Sequence, residues 1–228
     1  MGDVSFKEKE MEAYEYEQDV RVIKNISGID VSIDVPAAQN RNDRFLIWSL
    51  DPFWTYTAAL SDINASDRKC WVNGNLFLRD IEIQKNRGLS FHKKLFFMKT
   101  KANERIYDYF SILINQRSVS EGYYTFWEDL KAQEDKGGLY DKPPFGLLTN
   151  FKATNSDLDV NGYFGVVSEN SIRWRFKKEE LSYVIEDDLE YFCTLYYEPD
   201  PDGLDACIDC RNYQGGESIN KPPRWWKE

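Results

Sequence analysis

At 228 residues the chain is long enough to bury a substantial core. Its 39 acids outnumber 29 bases, and the resulting net charge of −10 repels nucleic acid phosphates and anionic membrane surfaces. No apolar run approaches the ~18 residues of a membrane span. The 15% aromatic content, with seven Trp, fourteen Tyr and fourteen Phe, favours half-buried pleated surfaces and leaves a subset of rings to face a ligand.

In chain order, residues 1–18 form a charge-rich segment ahead of one β-rich domain over 19–228. Val20-Arg21-Val22-Ile23 begins an extended stretch, and Val31, Ile33 and Val35 alternate with Ser32 and Asp34, the period of a half-buried strand. Phe45-Leu46-Ile47-Trp48 reads as a strand buried on both faces, followed by Phe53-Trp54-Thr55-Tyr56-Thr57, with Pro52 marking a bend between them. Ile81 to Gln84, Leu95 to Met98 and Ile106 to Ile114 add strands.

Ser118-Val119-Ser120-Glu121 has the spacing of a helix capping box, and Tyr123, Tyr124, Trp127 and Leu130 follow at helical spacing. This predicts one amphipathic helix, stopped at Gly137-Gly138, with its aromatic face on the sheet. Beyond the Asp141-Lys142-Pro143-Pro144 connection, Gly162 to Val167 and Ser171 to Phe176 read as strands joined by a hairpin turn at Glu169-Asn170. In the second of these, Ile172, Trp174 and Phe176 share one face, while Arg173 and Arg175 share the other. Tyr183-Val184-Ile185 and Tyr191-Phe192-Cys193 read as short strands before a Pro-, Gly-, Asp- and Cys-rich tail. The predicted fold is mainly β, an antiparallel sandwich- or barrel-like domain with one helix.

An even count of cysteines, Cys70, Cys193, Cys207 and Cys210, suits two disulfides. A four-thiolate zinc site is the rival, although it usually draws on a second Cys-x-x-Cys pair, and free thiols are a third reading. A redox role for Cys207 and Cys210 is disfavoured by Asp205 and Asp209, which oppose the thiolate such chemistry needs. A bridge from Cys193 to Cys207 or Cys210 closes a loop of about 15 residues, an effect of about 3 kcal/mol on the entropy model.

Reactive centres are sparse in the pattern. The single histidine, His92, has no acid or nucleophile nearby in sequence, and there is no Gly-x-Ser-x-Gly elbow or phosphate-cradling glycine loop. Asp141 is the acid to test first for a glycosidase pair, against its role as a turn residue. Asp200, Asp202 and Asp205 surround Gly203 as oxygen ligands of a calcium loop do, but the closing Glu is missing. Neither a metal nor a cofactor is expected. The aromatic binding candidates are Trp54, Trp225 and Trp226 with Arg224 beside them, and on an extended chain the adjacent tryptophans point to opposite faces.

Ser118 to Trp127, Gly138-Leu139-Tyr140-Asp141-Lys142-Pro143-Pro144, Gly162-Tyr163-Phe164 and Cys207-Ile208-Asp209-Cys210-Arg211 stand in an order that resembles a known family. Gly215-Gly216 and Lys221-Pro222-Pro223-Arg224-Trp225 complete the pattern. The family is the Bacteroidetes outer-membrane lipoproteins known as domain of unknown function 4249, and the resemblance covers residues 19–228. It implies an envelope lipoprotein, anchored at the outer membrane on its periplasmic or cell-surface side and often encoded beside TonB-dependent transporters. No catalytic residue carries over. It also implies that the chain is the C-terminal part of a longer protein, since Met1-Gly2-Asp3 leads straight into charged residues with no signal sequence. The expected function is a non-catalytic binding module, an accessory to a transporter or a receptor for a glycan or peptide. The alternatives are a carbohydrate-active hydrolase with a carboxylate pair and a purely structural cell-surface domain.

Overall fold

The computed structural model describes residues 2–17, 20–38, 44–75, 81–137, 147–154, 160–185, 187–196 and 205–226. The elements in chain order are β1 (Val4–Glu17), β2 (Val20–Val35), β3 (Phe45–Thr57), β4 (Lys69–Asn73), β5 (Glu82–Lys85), β6 (Phe91–Lys99) and β7 (Phe110–Ser118). They continue as α1 (Glu121–Gly137), β8 (Ser168–Phe176), α2 (Leu189–Tyr196) and β9 (Glu217–Ile219). Two antiparallel sheets result, one in the order β1-β2-β6 and the other β8-β7-β3-β4-β9, with β5 also pairing β3. Neither closes on itself, so the arrangement is sandwich-like and the barrel alternative falls away.

The period of two puts one row of each strand into a shared core. Ile29, Val31 and Ile33 of β2 are fully buried, and they join Trp48, Trp54, Phe110 and Ile114 from the other sheet in one cluster. Burying each such side chain stabilises the fold by about 1.5–3 kcal/mol. The Trp48 indole finds its partner inside the core, where Nε1 donates to Gln116 Oε1 at 3.1 Å.

Pro52 does not bend the chain away, and β3 runs unbroken through it. On one edge β5 pairs with Phe45 to Trp48 and β4 with Phe53 to Thr57, so Pro52 faces the gap between them. Its carbonyl accepts from Gly74 N at 2.8 Å on that edge, and the missing N–H costs no ladder bond.

α1 packs its aromatic face on the outer side of the larger sheet, as predicted. Tyr124 is buried with Ile47, Ile81 and Val119, and Tyr123 and Trp127 flank them. Its cap is Ser120, not Ser118: Ser120 Oγ accepts from Tyr123 N at 3.3 Å.

Other expectations give way. The charge-rich opening is strand β1, paired with β2 from Val4↔Ile33 to Glu17↔Val20. Its alternation was masked by Lys and Glu on both faces, yet Phe6 turns inward to meet the Phe176 ring edge-on at 5.6 Å. Residues 162–167 are not a strand, and Glu169 and Asn170 lie inside β8, paired with Arg117 and Gln116. The chain at Glu104–Ile106 is a 3-10 turn, which delays β7 to Phe110. Residues 183–185 carry no strand. Tyr191-Phe192-Cys193 lies in a second helix, α2, because a short apolar run is compatible with either period.

All four cysteines are paired, Cys70 to Cys210 and Cys193 to Cys207. The two sulfurs of Cys207-x-x-Cys210 therefore bond to different partners, which removes both the redox-pair and the zinc readings. The first bridge pins the tail to β4. From there the Tyr213 ring stacks on Tyr56 at 4.1 Å, β9 adds to β4, and the tail ends on the outer face of the sheet.

Candidate ligand-binding site

The outer face of the larger sheet carries the odd-numbered residues of β3, β7 and β8. Register places Asp51 beside Leu113 and Leu113 beside Arg173, with Phe53 beside Ser111 and Ser111 beside Arg175. α1 covers one end of this face, and the tail tryptophans cover the other. Between them lies an open trough of about 370 Å³, lined by Asp51, Phe53, Leu113, Arg173, Glu217 and Trp225 among others.

Asp51 on its lining is tied into a connected polar network. Asn115 is 5% exposed, and its Nδ2 donates to Asp51 Oδ2 at 2.8 Å while its Oδ1 accepts from Ser171 Oγ at 2.6 Å. A buried amide satisfied on both ends is held in one orientation, and it holds the Asp51 carboxylate in turn. Beside it, the half-buried Arg173 guanidinium lies over the Trp225 ring at 3.7 Å and donates to Ser111 Oγ at 3.1 Å. Burial, and then the neighbouring charge of Arg175, draws the Arg173 pKa downward, partly opposed by Tyr109 and Asp51. The trough thus offers an oriented acceptor, a partly dehydrated cation and an aromatic wall.

The tryptophan pair departs from the extended-chain expectation. A turn closed by Trp226 N to Pro223 O at 2.9 Å lets both rings reach Phe53, Trp225 at 4.8 Å and Trp226 at 5.5 Å. Trp226 packs further against Tyr109 and Trp71, so it anchors the tail, while Trp225 stays 39% exposed in the trough. Arg224 is exposed and does not line it.

Trp54 sits elsewhere. At 1% exposed it is a core side chain on the opposite face of β3. It borders a separate inter-sheet cleft of about 470 Å³ with Phe96, Met98 and Phe110, and Arg105 lies over its ring at 4.9 Å. The structure therefore brings Trp225 and Trp226 together but not Trp54 or Arg224. The residues that sequence reasoning left out are Asp51, Asn115 and Arg173. For Arg173 the signal was present in the β8 alternation. For Asn115 and Asp51 no local signal exists, because their meeting depends on strand register.

The remaining candidates are placed as follows. His92 is exposed on β6 and pairs with Asp34 at 2.8 Å. Asp205 caps the tail turn by accepting from Cys207 N at 2.7 Å, while Asp141, Asp200 and Asp202 lie outside the described residues. Among the described residues, no group of three or more His, Cys, Asp or Glu side chains is placed to hold a metal.

Two antiparallel sheets, a tail bound by two disulfides and an open trough on the outer face define an extracytoplasmic, disulfide-stapled β-sandwich-like domain, since such bridges persist in oxidising compartments. None of the described helices is long and apolar enough to cross a membrane. The chain belongs to the family of domain of unknown function 4249, whose model matches residues 3–173. The match begins inside the segment that sequence reading set apart and ends before the closing cysteine element. No curated protein and no solved structure matches the chain.

Proposed function

We propose that this chain is a non-catalytic binding module of the cell envelope, with the outer-face trough as its ligand site. The observation that carries the reading is the convergence of Trp225, the stacked Arg173 and the Asn115-held Asp51 on one cavity. Ligand sites combine an apolar wall with a few oriented polar groups in this way. A ring-shaped polar ligand such as a glycan suits it, with C–H faces for the indole and hydroxyls for the carboxylate. Lipoprotein anchoring at the outer membrane and partnership with a TonB-dependent transporter belong to the same proposal, supported by family membership and by the disulfides.

The test is a thermal-shift screen of the disulfide-bonded chain against a glycan panel. A ligand that binds only the native form raises the melting temperature. At least one glycan is expected to do so, and Trp225→Ala is expected to abolish the shift. A panel without a hit would leave the purely structural reading in its place.

A hydrolase remains the second reading, because the trough also holds two carboxylates, Asp51 and Glu217. Glycoside hydrolysis needs one acid kept protonated in an apolar pocket, whereas Glu217 is exposed on β9. Turnover of a bound glycan, lost in Glu217→Gln, would favour the hydrolase.

A further inference from the structure

Resting on that binding reading, we infer that the trough selects a glycan bearing a carboxylate, a uronic-acid type of ring, through Arg173 on its lining, with Arg175 standing just outside it. Both side chains leave the same face of β8, one pleat repeat apart, and both stand on the outer face of the sheet. Neither forms an ion pair among the described residues, although the chain carries 39 acids. The contrast lies two pleat repeats back along β8, where Glu169 is paired with Arg117 of β7 at 2.6 Å.

Two adjacent unpaired guanidiniums repel each other, and Arg173 has also given up part of its hydration to lie on Trp225. Its hydrogen bond to Ser111 leaves several N–H donors of the planar fork without a partner among the described residues. An incoming carboxylate would relieve both costs, since guanidinium and carboxylate match in a two-pronged geometry. The remaining groups settle what the carboxylate is attached to. Asp51 and Glu217 would repel a second anionic group but accept sugar hydroxyls, and Trp225 borders the space between. A polyanion such as a phosphorylated or sulfated chain would meet those acids, whereas one carboxylate per ring with neighbouring hydroxyls fits the mixed lining.

The experiment compares a galacturonic acid trimer with a galactose trimer by calorimetry on the full disulfide-bonded chain. The acidic trimer is expected to bind at least about tenfold more tightly, the scale of one charge-assisted contact. That preference is expected to shrink on raising salt. Arg173→Gln should remove it, and Arg173→Lys should restore only part. Because Arg173 is half-buried, Arg175→Gln at the exposed neighbour serves as the second variant. It should weaken the acidic trimer severalfold and the neutral one by a smaller factor, so that the preference narrows. Equal affinity for the two trimers, lost in Trp225→Ala, would overturn this inference and keep the glycan reading. Binding of neither trimer, with capture of a peptide through its terminal carboxylate, would overturn both.

Discussion

The two disulfides close loops that differ tenfold in length, 140 residues for Cys70–Cys210 and 14 for Cys193–Cys207, and so test what each contributes. On the chain-entropy model the longer loop stabilises by about 5 kcal/mol and the shorter by about 3 kcal/mol, a gap of about 2 kcal/mol from the logarithm of the ratio alone. The shorter loop is nested in the longer, but shortening 140 residues by a tenth hardly moves a logarithm. Burial sharpens the contrast, since Cys70 and Cys210 are both 0% exposed and hold the tail against β4. The perturbation is Cys70→Ala with Cys210→Ala, set beside Cys193→Ala with Cys207→Ala, each measured by urea denaturation without reductant. The first pair is expected to lower the unfolding free energy by about 2 kcal/mol more than the second. Equal losses, or a larger one for the 14-residue loop, would refute the idea that the tail is held chiefly through the long-range bridge.

Trp48→Phe removes the indole donor to the buried Gln116 amide oxygen, at a cost of about 2 kcal/mol plus a cavity contribution; pairing it with Gln116→Leu should recover part of the loss in the same denaturation assay. At alkaline pH, burial and then the Glu104 and Asp205 charges push the Tyr56 hydroxyl up to about 12, and burial with acidic neighbours also raises Tyr107, Tyr124 and Tyr213. The native state keeps these protons after the unfolded chain has released them, so stability should be full below about pH 10 and fall between about 10 and 12. Following tyrosinate absorbance beside the unfolding midpoint checks this, and ionisation of every tyrosine near 10 with an unchanged midpoint would contradict it. At acid pH the sign reverses: hydrogen bonds from Arg211 hold the Asp209 carboxyl below its ordinary value, so its contribution is present at neutral pH and lost as pH falls below about 4. Asp209→Asn should flatten the acid limb of the stability profile. Gly28→Ala should destabilise β2, since a Cβ there would lie 2.5 Å from the Met98 carbonyl and closer still to the Phe97 ring; an unchanged melting temperature would show that the sheet edge gives way easily.

Local pattern alone determined much of this protein. The alternation at Val31 to Val35 and at Ile172 to Phe176, the aromatic spacing of α1 and the even cysteine count carry the β class, the helix and the disulfides, because side-chain period and burial are properties of neighbouring residues. What tertiary structure alone decided is which strands meet. Register brings Asn115 to Asp51, and a turn in the tail lays Trp225 against Arg173, two residues that are distant in sequence. It also sends Trp54 into the core, since a ring's face is set by the sheet that packs on it. It chose helix for residues 191–193, a run too short for its period to speak, in an element that also carries the Cys193–Cys207 bridge. The trough exists only through such long-range pairings, and a linear pattern does not contain them.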